Sequence, residues 1–179
     1  MHPDATDTTD LPGFTIRPAE AGDVPLILAY VRKLAAYERL EHEVQATEAS
    51  LRALMFGPRP YAEVVFGEAE ERTVGFALFF HTVSTFAGKP GLYLEDLFVE
   101  PAARGRGYGK ALMAYLARLA VQRGCTRFEW SVLNWNEPSI AFYRRLGAQP
   151  VEAWTVYRLM GPSLERLAGS ADMRGGLTD

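Results

Sequence analysis

The chain has a single cysteine, Cys125, too few for an intramolecular disulfide, and its place just after Gly124 reads as a small buried residue rather than a nucleophile. Its three histidines, His2, His42 and His81, lie far apart without metal-ligand spacing, so no metal site is expected. No apolar run approaches the roughly 18 residues of a membrane span. The formal net charge of -3 gives no general case for nucleic acid as a partner. Asp4, Asp7 and Asp10 stand where a secretory leader would have a basic start and an apolar stretch, which predicts a cytoplasmic protein.

What is present is enough for one sizeable core: 179 residues, 48% hydrophobic and 12% aromatic. The acidic, Thr-rich residues 1–12 read as a flexible tail, 13–168 as one domain, and 169–179 as a second tail. Phe14 to Arg17 reads as a first strand. Pro25 through Tyr37 carries one apolar stripe and so reads as a helix, with Asp23 as its candidate cap. Thr47 to Phe56 is a second helix closed by Gly57-Pro58. Tyr61 to Phe66 and Thr73 to Val83 are strands joined by a turn over 67–71, the latter apolar on both faces and so central. Leu92 to Val99 is the next strand. The helix from Tyr108 to Arg123 buries Leu112, Tyr115, Leu116 and Leu119. A strand over Arg127 to Leu133, a short helix and a last strand around Ala153 to Met160 follow. Strands in two runs with helices between them give an α/β fold, a mixed sheet covered by helices on both faces.

Two stretches carry chemistry. The first is Leu92 to Val99 followed by Arg104-Gly-Arg-Gly-Tyr-Gly-Lys110, read as strand, glycine loop and helix start. Consecutive backbone N–H groups in such a loop form a positive concavity suited to a diphosphate. A dinucleotide fingerprint begun at Gly105 would need glycine at Lys110, and one begun at Gly107 would need it at Leu112. A Walker loop ending at Gly109-Lys110 would need glycine at Arg104 and Ser or Thr at Ala111. Both readings fail. Taken alone, the loop also fits a glycine-rich β–α turn with two exposed arginines.

The second stretch runs from Asn134 to Gly147. Asn136 is a plausible N-cap, Pro138 is tolerated in the first turn, and Gly147 ends the helix. An isolated Tyr143 would fit a core aromatic with its hydroxyl at the rim.

The two stretches together have the form of known motifs. Arg104-x-x-Gly107-x-Gly109 resembles the pyrophosphate loop of the GCN5-related N-acetyltransferases. Asn136-x-x-Ser139-x-x-Phe142-Tyr143-x-x-x-Gly147 resembles the segment with which that superfamily holds coenzyme A and presents a tyrosine to its sulfur. Ile16-Arg17-Pro18-Ala19, Tyr37-Glu38, Thr47-Glu48, Val74-Gly75-Phe76-Ala77, Tyr93-Leu94-Glu95-Asp96 and Trp135-Asn136-Glu137-Pro138-Ser139 are similar to the diamine acetyltransferases, the spermidine/spermine and thialysine enzymes, over about Phe14 to Ala168.

The resemblance implies a mostly antiparallel sheet splayed between its fourth and fifth strands, and acetyl-CoA as co-substrate. It implies cofactor contacts from Leu97, Phe98 and Val99, from Arg104, Gly105, Arg106, Gly107, Tyr108, Gly109 and Lys110, and from Asn136 and Ser139. Tyr143 would protonate or hydrogen-bond the departing sulfur. Tyr37, Glu38, Glu95 and Asp96 would bind the amine, and the family is commonly homodimeric.

An alkylammonium with a pKa near 10.4 is neutral in only about one molecule in several thousand at pH 7, so the site needs a base. Glu95 and Asp96 are the candidates, and the resemblance implies Glu95, acting through water. Strict strand alternation sends Glu95 and Asp96 to opposite faces, so both can serve one site only if the strand bulges there. The polyamine branch carries an Asp and a Trp before a Gly-Lys pair, where this chain reads Ser84-Thr85-Phe86-Ala87-Gly88-Lys89. That departure favours a shorter amine of the thialysine type. The alternatives are a silent acyl-CoA-binding module, against which Glu95 and Tyr143 both stand, and a peptide or protein N-acetyltransferase, which would want a long open groove.

Overall fold

Six successive buried residues, Val74 to Phe79, require protein on both sides of a strand, and they lie in the middle of Arg72–Ser84. The computed structural model describes residues 7–8 and 11–170 and makes this strand β4 of a sheet in the order β1-β2-β3-β4-β5-β6. Its other members are β1 (Asp7–Thr8), β2 (Phe14–Pro18), β3 (Glu63–Ala69), β5 (Lys89–Val99) and β6 (Phe128–Trp130). Neighbours are antiparallel except β5 and β6, which run parallel. The chain divides into two compact units, Met1–Asn134, which holds the sheet, and Trp135–Asp179.

In the first unit α1 (Val24–Glu38) and α2 (Glu48–Phe56) cover one face. Val24, Ile27, Leu28 and Tyr30 of α1 and Leu51 and Met55 of α2 share a core with Phe66, Phe76, Leu78 and Phe98 of the sheet. Thr47 caps α2 by accepting the Ser50 N–H at 3.1 Å while the Ser50 hydroxyl accepts the Thr47 N–H at 2.9 Å. Helix α3 (Tyr108–Gln122) covers the other face and buries Leu112, Tyr115, Leu116 and Leu119, the stripe its sequence predicts. Gly67 and Gly75 are cross-strand partners, and Leu112 seats on the gap they leave: a Cβ on either would come within 3.7 and 3.3 Å of its methyls. The two glycines therefore set how closely α3 approaches the sheet.

Several sequence expectations shift. Asp23 precedes α1 but donates no side-chain cap to it. Its carboxylate instead accepts from the Arg17 guanidinium on both oxygens, at 2.7 and 3.1 Å, and from the Glu20 N–H at 2.8 Å. Strand β3 begins at Glu63 rather than Tyr61 and continues to Ala69, and the turn expected over 67–71 shrinks to Glu70 and Glu71, both at positive φ (52° and 58°). Strand β6 is shorter than the 127–133 span expected, because its ladder with β5 stops at Leu94↔Trp130. From Glu95 to Val99, β5 has no strand on its β6 side, which is the splay that the resemblance implies. The tail expected over 1–12 falls mostly outside the described residues, although Asp7–Thr8 pairs with β2; most of the C-terminal tail, 171–179, also lies outside them.

The second unit contains α4 (Glu137–Arg145) and α5 (Gly161–Gly169). No strand forms over the expected 153–160, which is irregular, with Trp154, Val156 and Tyr157 exposed. An alternating apolar sequence makes a strand only when a ladder partner satisfies its N–H and C=O groups, and this segment has none. Helix α5 carries no signal that the sequence reading used.

Candidate active site

The glycine loop connects β5 to α3 through a turn at Pro101–Ala103. Gly105 and Gly107 have φ of 78° and 89°, which glycine adopts without strain. Gly107 is the N-cap of α3, no side chain caps that end, and the first turn holds no acidic residue, while Lys110 lies within it. The donors of the first turn are left for an external acceptor, and helix polarity favours an anion there. A Cβ on Gly105 would meet nothing within 4 Å, whereas one on Gly107 would come within 3.3 Å of a Leu11 methyl. These features fit a diphosphate.

Side chains around the loop brace it. Tyr108 stacks on the buried ring of Phe14 with centroids 4.4 Å apart and planes 11° from parallel, which pins the start of α3 to β2. Arg106 donates to Glu70 at 3.1 Å, tying the loop to the β3–β4 turn. Arg104, expected at the cofactor, is braced against the ends of β5 and α1. Its Nε donates to the Val99 carbonyl at 3.0 Å and its guanidinium lies over the Tyr37 ring at 4.7 Å and the Phe98 ring at 5.6 Å. Arg104 thus joins the loop to the end of α1. The linear sequence holds no sign of that link, nor of the Tyr108–Phe14 stack. The acidic turn containing Glu70 was the available signal for the Arg106 contact.

The strand bulges where two acids are adjacent. Leu78 pairs with Asp96 and Phe79 with Leu94, so Glu95 is the extra residue. Phe80 and Leu78 are two apart and share a face of β4; their partners Tyr93 and Asp96 are three apart. Asp96 shares the α1 face with Phe98 by ordinary alternation, and the bulge brings Tyr93 to that face as well. Glu95 is exposed and Asp96 half-buried, as are Tyr37 and Glu38 at the end of α1. No cation is paired with Glu38, Glu95 or Asp96 among the described residues. Desolvation, then the charges of Glu95 and Glu38, push the Asp96 carboxyl up to about 7. Burial also raises Glu38 above the usual carboxylate range. Tyr37, Glu38, Glu95, Asp96 and Arg104 are therefore gathered in the first unit, beside Phe98 and Val99.

In the second unit, Asn136 is buried and caps α4 by accepting the Ser139 N–H at 3.4 Å. Pro138 occupies the first turn, and Gly147, at φ 87°, follows the helix end as expected. Tyr143 is half-buried, its ring 5.2 Å from that of Phe142. Asn136, Ser139 and Tyr143 are thus carried on one helix.

The Acetyltransferase (GNAT) family model matches residues 29–148. The chain belongs to the GNAT family. Thialysine N-epsilon-acetyltransferase from Sus scrofa is 36% identical over 165 residues, spanning 86% of this acetyltransferase and 96% of the relative. L-ornithine N5-acetyltransferase from Arabidopsis thaliana is 30% identical over 197 residues, spanning 85% and 86%. Among solved structures, an integron cassette protein from the mobile metagenome of V. cholerae superposes with a TM-score of 0.74 at 25% identity, covering 87% of this chain and 98% of that one. An aminoglycoside acetyltransferase from a soil metagenomic sample, at 19% identity, has a TM-score of 0.70 and shares the fold. The family and these relatives make the protein an N-acetyltransferase.

Proposed function

We propose that this acetyltransferase transfers an acetyl group from acetyl-CoA directly to the primary amine of a small cationic substrate of the thialysine or diamine type, acting in the cytoplasm as a homodimer. The observation that carries the reading is the acidic pair at the β5 bulge, where Asp96 on the α1 face feels the charges of Glu95 and Glu38 and none of the three has a paired cation among the described residues. A group of carboxylates lacking cations of their own is suited to an ammonium that arrives with the substrate. The relatives named for thialysine and L-ornithine act on amines of this kind, which supports the assignment.

Acetyl-CoA supplies the activated thioester carbonyl. The backbone from Gly105 to Gly109, with Arg104, Arg106, Tyr108 and Lys110 around it, would bind the diphosphate. Leu97, Phe98 and Val99, whose edge of β5 has no strand partner, would align the pantetheine and offer N–H groups to a developing oxyanion. Asn136 and Ser139 would hold the amide arm. Tyr37, Glu38, Glu95 and Asp96 orient the ammonium, and the hydroxyl of Tyr143 holds a proton for the sulfur. No covalent enzyme intermediate is needed. Ser84 and Phe86 stand at the β4–β5 turn in place of the polyamine branch's Asp and Trp, and Phe86 is almost wholly exposed. With that acid missing, a long polycation has less to bind.

The test is coenzyme A release across a panel of small amines of similar basicity. Short amines of the thialysine type should be acetylated faster than spermine. The absence of release above thioester hydrolysis with every amine would overturn the reading, and efficient spermine acetylation would overturn its substrate part.

A further inference from the structure

We propose that Asp96, rather than its exposed neighbour Glu95, is the group that takes the proton from the ammonium substrate, while Glu95 and Glu38 serve to bind the cation. The inference rests on the amine-acetyltransferase reading above and divides the labour within it.

The first support is geometric. Asp96 shares the α1 face with the buried Phe98, two residues on, and stands opposite Leu78, so its carboxyl lies beside an apolar wall. The one-residue bulge before it brings Tyr93 to the same face. Glu95, the extra residue, faces solvent. The second support is the set of charges around Asp96. Glu95 adjoins it on β5, and Glu38 approaches from the end of α1, next to Tyr37. Arg104, the nearby cation, is committed to the Val99 carbonyl and to the Tyr37 and Phe98 rings. Leu78, across on β4, is uncharged. The charges that raise the Asp96 carboxyl are those of Glu95 and Glu38, and both make it a better proton acceptor.

Proton affinity adds to the geometry at Asp96. Against an amine near 10.4, an ordinary carboxylate near 4.3 holds the proton less well by a factor of about 10⁶. Burial and like charge bring Asp96 to about 7, which cuts that factor to about 10³. An acid poised near the operating pH is also the more efficient general base. In the step itself, one N–H bond of the ammonium breaks and its proton passes to an Asp96 oxygen. The electron pair stays on nitrogen as the lone pair that attacks the thioester carbonyl. Asp96 returns the proton to solvent when product leaves.

The experiment uses the full chain. Carboxyl carbons are followed by NMR against pH without ligands, and kcat/KM is measured against pH with acetyl-CoA and the best amine of the panel. One carboxyl should titrate near 7, be missing in Asp96→Asn, and move downward in Glu38→Gln, where a like charge has been removed. The acidic limb of kcat/KM should follow that midpoint. Asp96→Asn should lose the limb and 10²-fold or more in kcat, whereas Glu95→Gln should keep the limb and raise KM. The proposal is overturned if no aspartate titrates above the ordinary range, or if the limb survives in Asp96→Asn and disappears in Glu95→Gln. A wild type inactive on every amine would instead refute the amine reading, because the carboxyl titration needs no substrate.

Discussion

A carboxyl held near 7 makes stability depend on pH at the scale of one residue. The folded-state value for Asp96 lies above the roughly 3.9 of an unfolded chain. Below both values the group is neutral in each state and costs nothing. Between them the folded protein keeps a proton that the unfolded chain releases, so stability falls as pH rises and levels off above 7. Asp96→Asn removes the buried charge, and its melting temperature should exceed the wild type's by a few degrees at pH 8 and match it at pH 4. Melts followed by circular dichroism at the two pH values check this, and an equal difference at both would deny the linkage. The identity of the acids at 95 and 96 was legible in the sequence. Which face they occupy was not, because a bulge arises from how β4 pairs with β5 and leaves no mark on the period of either strand. Arg104 was legible as a loop residue, but its turn toward Tyr37 depends on α1, far away in sequence, ending beside it.

At the scale of elements, the placement of α3 follows from the paired glycines 67 and 75 and from the Phe14–Tyr108 stack. A Cβ on Gly67 would come within 2.5 and 2.8 Å of the Phe14 ring. That ring is buried and itself stacked on Tyr108, so it has no room to yield. Gly67→Ala should therefore cost about 1–3 kcal/mol by overpacking, which for a chain of this length lowers the melting temperature by roughly 2–12 °C. It should also weaken the thermal stabilisation given by acetyl-CoA, because the displaced Phe14 is what fixes the first turn of α3. Calorimetry with and without acetyl-CoA tests both parts; an unchanged melting temperature would show that Phe14 is less confined than its contacts imply. Elements with a strong local pattern were read well from sequence: the stripe of α3, the doubly apolar β4, the cap and proline of α4. Elements defined by partners were not. Strand β6 stops where its ladder stops, and 153–160 has the composition of a strand without a ladder.

For the whole molecule the unanswered need is cover for that C-terminal segment. Val151, Trp154, Val156, Tyr157, Leu159, Met160, Leu164 and Leu167 are all exposed, and the second unit has no buried apolar side chain among its described residues. Exposed apolar residues concentrated in one segment are a feature of interaction surfaces. A second copy of the chain is the cover that the homodimer reading supplies. Burying an aromatic of this size is worth at least about 1.5 kcal/mol, so replacing both Trp154 and Tyr157 with glutamate removes about 3 kcal/mol or more and should weaken dimerisation by roughly 100-fold. Sedimentation velocity over a range of concentrations measures this directly. A dimer at micromolar concentration that dissociates in the double variant places the segment at the interface. A wild type that sediments as a monomer, with amides 151–167 protected from hydrogen exchange, would mean that the chain covers the segment with its own residues, and a dimer indifferent to both substitutions would put the interface on another surface.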